Sequence, residues 1–335
     1  MALDVAFTSE EGISKGGKMQ YASTSWCRNT MPVEEFSSPI NLKQEKQIMN
    51  RIAFAFTLTL LACASLMAQE SSLTYTFQDV TYPNDKFVQL LGINKTNVIA
   101  GYHGANTNHG FTLTLPGTFT PENYPKSAQT QVIGINSKNT TVGFYVDMAG
   151  TVHGFLDGSG KFTNVDFPGT TFNQLLGVND QGQAAGYYQD AAGNFHPYIW
   201  AQTGGVFEEL FIPVAVSAQA TSINNKGVIV GFYIDSNGVT HGWQLSAGIF
   251  KTLDYPASTF TQALGINTLG EVVGSYNDAA GNMHGFAYVN GTWSSIDDPN
   301  GVGITLVNGV NDNGVIVGFY TVSDTVNTGF VGKPQ

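Results

Sequence analysis

The 335-residue sequence has little charge, and even less arginine and cysteine. Asp, Glu, Lys and Arg together make up 12% of it. Its two arginines (Arg28, Arg51) and two cysteines (Cys27, Cys63) all precede residue 69. The rest of the chain therefore has no guanidinium fork for phosphate or carboxylate. It also has no disulfide and no thiol nucleophile. From residue 69 onward 19 acidic side chains face 8 lysines, and the net charge of the chain is −11. Phosphate neutralisation needs clustered Lys and Arg, so general nucleic-acid binding is excluded. The chain also lacks the Ala, Leu, Glu and Lys excess of helical bundles. What it has is 39 Gly and 12% aromatic residues among many Thr, Val and Asn, the composition of an all-β protein with many tight turns.

Residues 49–68 read as a secretory signal. Arg51 is followed by the uncharged run IAFAFTLTLLACASLMA, too short for a comfortable membrane span and ending in small residues. Residues 1–48 show no periodicity and read as a non-native or disordered extension, with Met49 as the initiator. Leu60-Leu61-Ala62-Cys63 resembles a lipobox, which would place a lipid on Cys63, whereas Leu66-Met67-Ala68 suits ordinary cleavage. Either route sends the remainder out of the cytoplasm, to a secreted, periplasmic or lipid-tethered surface location.

Residues 73–335 are repetitive. Gly-Ile-Asn or a close variant recurs with its Asn at 94, 136, 179, 224, 267 and 311. Seven residues after each Asn stands a Gly, at 101, 143, 186, 231, 274 and 318. Tyr145, Tyr188, Tyr233, Tyr276 and Tyr320 follow two residues later, with His103 as the exception. Next come His-Gly-aromatic (His109, His153, His241, His284) or its variant His196-Pro197-Tyr198, then aromatic-x-x-apolar-x-x-Pro. Each unit contains four short strands, in the fifth copy near 260–266, 271–276, 284–289 and 292–296, joined by Asn- and Gly-containing turns. Four strands in about 43 residues, six times over, predict a six-bladed β-propeller. The sixth copy lacks its last strand, and a spare strand of that type, 77–83, opens the domain. Pairing of the two closes the ring and leaves few exposed edges.

These motifs resemble the bacterial extracellular HAF-repeat family, named for His-Ala-Phe. This sequence carries Gly154, Gly242 and Gly285 at the middle position, and its closers read Asp166-Phe167-Pro168 and Asp254-Tyr255-Pro256. The resemblance implies export and repetition, and no established reaction.

Asp147, Asp190, Asp235 and Asp278 each precede a column histidine (His153, His196, His241, His284) by six residues. A ring of such pairs could bind metal or transfer protons. Recurrence in blade after blade instead favours a hydrogen bond that pins each loop. The Asn column reads as turn-forming. Asp180, Asp297, Asp298 and Asp312 suggest calcium, yet no D-x-D-x-D-G run accompanies them, so no cofactor is expected. No catalytic residue emerges either: there is no G-x-S-x-G, and adjacent pairs such as Glu208-Glu209 point to opposite faces of a strand. A unique site, if present, is expected in the irregular blades one and six. The expected function is a monomeric, non-enzymatic binding scaffold for glycans, surface polymers or proteins, touching a membrane only through Cys63. The alternatives are a polysaccharide lyase or glycosidase, and a purely structural or adhesive envelope protein.

Overall fold

In each repeat the first strand alternates buried and half-buried residues, the second is buried along most of its length, and the fourth is the most exposed of the four, as in the fifth copy. That gradient orders the strands from the axis of a ring to its rim. The computed structural model describes residues 73–323 and 326–335. The extension 1–48, the signal 49–68 and Cys63 lie outside them. The spare strand is β1 (Tyr75–Val80). Blade 1 is β2 (Val88–Ile93), β3 (Val98–His103), β4 (His109–Thr114) and β5 (Thr118–Pro121). Blade 2 is β6 (Gln129–Ile135), β7 (Thr141–Val146), β8 (Val152–Asp157) and β9 (Phe162–Val165). Blade 3 is β10 (Asn173–Val178), β11 (Gln183–Gln189), β12 (Phe195–Ala201) and β13 (Val206–Glu209). Blade 4 is β14 (Ser217–Ile223), β15 (Ile229–Ile234), β16 (Thr240–Ser246) and β17 (Ile249–Leu253). Blade 5 is β18 (Phe260–Ile266), β19 (Val272–Asn277), β20 (Met283–Val289) and β21 (Thr292–Ile296). Blade 6 begins with β22 (Thr305–Val310), β23 (Ile316–Ser323) and β24 (Val326–Pro334).

Each blade is an antiparallel four-stranded sheet, and the six form a β-propeller as the sequence predicts. The sixth is completed by β1, which pairs with β24 from Tyr75 opposite Pro334 to Val80 opposite Gly329. The N-terminal strand thus seals the ring.

All six inner strands carry a register shift at the same place, for example between Leu90 and Gly92 and between Ala263 and Gly265. This bulge bends the strand at the axis. It also explains the Gly of Gly-Ile-Asn, because a Cβ on Gly92 or Gly134 would lie 2.6 Å from a carbonyl oxygen of the next blade. The second glycine column is tighter still. A Cβ on Gly274 would sit 1.9 Å from the Gln262 carbonyl oxygen and 2.8 Å from the Phe286 ring.

Blades join through apolar triples, one residue from the end of an outer strand and two opposed residues from the next blade. Five seams show Val80–Ile99–Leu113, Val165–Ala184–Trp200, Leu210–Ile229–Leu245, Leu253–Val272–Tyr288 and Ile296–Ile316–Gly332. The seam between blades 1 and 2 departs from this pattern.

Candidate functional site

Antiparallel order places the Asn turns of all blades on one face of the ring. On the other face lie the second-to-third-strand hairpins, with the column histidines and the Pro-containing connections. On the first face every Asn does two things. The Asn267 Oδ1 accepts the Glu271 N–H, and equivalent oxygens cap two turn amides in other blades, as Asn94 does for Thr96 and Val98. Each Nδ2 donates to the backbone carbonyl of the matching Asn in the next blade, at 2.9–3.3 Å, and Asn311 returns to Asn94 at 3.1 Å. The column is therefore both a turn former and an unbroken ring of interblade bonds. Asp180 and Asp312 extend it, accepting the Ser137 and Thr268 N–H groups. Inside this ring the axial channel encloses about 170 Å³ lined chiefly by Leu, Ile, Val and Gly. Of its polar residues Thr221, Ser222 and Asn308, the first and last are bonded to backbone carbonyls. The channel lining is otherwise apolar, which leaves it little with which to grip a polar ligand.

On the opposite face the paired residues lie as follows. Nε2 of His153, His196, His241 and His284 is 3.5, 2.9, 3.7 and 3.3 Å from Asp147, Asp190, Asp235 and Asp278. Each Asp caps its own hairpin, Asp147 Oδ1 accepting from Ala149 and Thr151. Hydrogen bonds from the Thr151 amide and its neighbours hold Asp147 below the usual carboxylate range. The His196 and Asn194 contacts hold Asp190 at about 2, and those from Asn282 and His284 do the same for Asp278. A second carboxylate stands at the other nitrogen: Nδ1 meets Asp166 at 2.7 Å, Asp254 at 2.9 Å and Asp297 at 2.8 Å in blades 2, 4 and 5. Only an imidazolium donates from both nitrogens. Burial opposes the charge on His284, but the hydrogen bonds that it donates to Asp297 and Asp278 raise its pKa overall. The rings also stack: Tyr255 on Tyr276 at 3.6 Å and Tyr276 on His284 at 5.2 Å, with Tyr124, Tyr145 and His153 arranged alike. Asp166 and Asp254 belong to the Asp-aromatic-Pro closers and Asp297 to its variant Asp297-Asp298-Pro299, and this Asp could have been aligned with the histidine column from sequence.

The irregular blades one and six are accounted for largely by packing. His103 takes the tyrosine's place in its stack, 3.6 Å from Tyr82, and its Nδ1 meets Asp85 at 2.9 Å. In blade 6 Thr328 replaces the histidine, and buried Asp298 replaces the closing ring.

The open departure lies instead between blades 3 and 4. There Phe211 occupies the position of Asp166, Asp254 and Asp297, and is 84% exposed. His196 is left with Glu209, at 3.5 Å from Nδ1. Ile212 replaces the closing ring, and Pro197 replaces the glycine after the histidine. A groove of about 350 Å³ results, lined by Phe195, His196, Glu209, Phe211, Val216 and Ser217 among others. Val214 and Val216 add 74% and 53% exposed apolar surface beside it. Among the described residues no group of three or more His, Cys, Asp or Glu could hold a metal ion.

No family model matches the chain, and no curated protein matches it. Among solved structures it is similar to AofleA from Arthrobotrys oligospora, at 12% identity and TM-score 0.52, over 80% of this chain and 90% of that one. It is also similar to a putative TolB from Agrobacterium tumefaciens, at 12% identity and TM-score 0.55, over 75% and 91%. A weaker likeness, TM-score 0.49 at 12% identity over 74% and 93%, links it to an Aleuria aurantia lectin mutant in complex with Fucalpha1-6GlcNAc. Likeness at this identity shows a shared propeller fold.

Proposed function

We propose that the protein is an exported, non-enzymatic propeller scaffold of the HAF-repeat kind that binds neutral glycans at the groove between blades 3 and 4. The observation that carries this reading is Phe211, an 84% exposed ring where three other blades place a histidine-bound Asp. Exposed aromatic surface of this kind marks a contact site rather than packing. A sugar offers a C–H face for the ring and hydroxyls for a few polar groups at its edge, which is the usual make-up of a ligand pocket. Here those groups are the His196–Glu209 pair and Ser217. The domain has no arginine and an excess of acid, which disfavours anionic sugars. The paired carboxylates of the rim are tied to histidines and turn amides, leaving no free acid–base couple for glycoside cleavage in those blades.

The test is a screen of the purified chain against neutral and anionic glycans, repeated with Phe211→Asp. Saturable binding to neutral glycans that disappears in the variant is the expected result. Binding unchanged by F211D, binding only to anionic glycans, or release of shortened sugars would each overturn the reading.

A further inference from the structure

At the seam between blades 1 and 2 the apolar triple is replaced at all three positions. The end of β5 contributes Glu122 where other blades have Val, Leu or Ile. β7 contributes Thr141 and β8 contributes Asp157. The three meet, because Thr141 and Asp157 are directly opposed in the β7–β8 ladder and the Thr141 hydroxyl donates to Glu122 Oε1. Thr141 is 2% exposed and Asp157 6%. Asp157 Oδ1 is buried with no hydrogen-bond partner.

Among the described residues no ion pair joins either carboxyl. The Gly160 and Lys161 backbone amides donate to Asp157 from the turn before β9, while the Lys161 side chain is exposed. Tyr124, two residues beyond Glu122, stacks on Tyr145 beside the seam. Burial, with Asp157 adding to it and Thr141 opposing it, pushes Glu122 up to about 7. Burial also raises Asp157.

A buried and a half-buried carboxyl that share one site without a cation do not both ionise cheaply. We infer that Glu122, Thr141 and Asp157 form a proton-held latch of the ring, in which one retained proton keeps the seam between blades 1 and 2 closed. The sign follows from linkage. A carboxyl held above its ordinary value of 4.5 stabilises the fold fully below that value, and the stabilisation is lost as pH climbs towards 7. The seam therefore closes hardest in acid.

Urea unfolding of the full chain between pH 4.5 and 8 tests this, against Glu122→Gln and the triple variant E122L/T141I/D157L, which restores the apolar pattern of the other seams. Asp298, which burial also raises, stays in every variant, so its contribution cancels. The unfolding constant of the unaltered chain is expected to rise relative to both variants by about tenfold or more between pH 4.5 and 7, then level off. Hydrogen exchange should place the loosening in β7 and β8. Parallel pH profiles in all three proteins would overturn the proposal. So would recovery of the unaltered chain at pH 8 on adding calcium or magnesium alone, which would make the seam a cation site. If E122Q fails to fold, the triple variant alone decides.

Discussion

The two faces of the ring are built on opposite principles. On the face of the asparagine turns, six blades repeat one solution and each Asn side chain is spent on its own turn and on its neighbour. On the histidine face, blades 2, 4 and 5 agree, blades 1 and 6 substitute within the same packing, and blade 3 opens a groove. Uniformity holds the ring closed, because a change to one copy of the interblade bond interrupts a cycle that otherwise runs through all six blades. Departure from the repeat in blade 3 is what leaves Phe211 exposed.

That contrast can be broken most forcefully at the axis. Gly274→Ala places a methyl 1.9 Å from a backbone oxygen and against the Phe286 ring, so the strands must part. The variant is expected to yield no soluble folded protein by circular dichroism. Gly158→Ala, in a turn where a Cβ meets nothing within 4 Å, should fold normally.

Next in size is Asn267→Ala. It removes the bond to the Asn311 carbonyl and the cap on the Glu271 amide. A cost of about 2–4 kcal/mol in urea unfolding is expected, since buried groups are left unpaired. A loss below about 0.5 kcal/mol would mean that the asparagine face is not what closes the ring.

Phe211→Asp sharpens the comparison from the other side by giving blade 3 the carboxylate of blades 2, 4 and 5. Stability should change by no more than about 0.5 kcal/mol, as at other exposed sites, while glycan binding is lost. The smallest effect belongs to the regular rim. His284 is held in its charged form by two carboxylates, so its stabilising contribution is complete in acid and fades as pH rises through its raised pKa. An NMR titration of the imidazole, assigned by the signal that His284→Ala removes, should show a midpoint above the ordinary 6.5, whereas a midpoint at or below 6.5 would contradict this.

Much of the architecture was legible in the sequence because repetition averages out local ambiguity. Six aligned copies exposed the four strands, the turn residues and the spare strand that completes the last blade, read at 77–83 and found at Tyr75–Val80. The fifth copy shows how closely: β18 and β21 span 260–266 and 292–296 as read, and β19 and β20 are displaced by one residue at one or both ends. Contacts between copies were not legible in the same way. A single repeat shows Asn267 capping its own turn, but the bond to Asn311 exists only once the neighbouring blade is in place. The middle glycine of the histidine motif is likewise explained by the fold: a Cβ on Gly242 would lie 2.4 Å from the Leu253 oxygen, so this backbone leaves no room for alanine. The two departures were visible as letters, Phe211 in an Asp column and Glu122, Thr141 and Asp157 in apolar ones. Their meaning required knowing which columns face solvent and which meet across a seam.

The most direct test of the account compares glycan binding by the unaltered chain, Phe211→Asp and Asp254→Phe on one array. The account predicts binding to neutral glycans by the unaltered chain, loss in F211D, and retention in D254F, whose own groove between blades 3 and 4 is untouched. Equal binding by all three would contradict it, because the ligand would then be recognised by something that every blade shares.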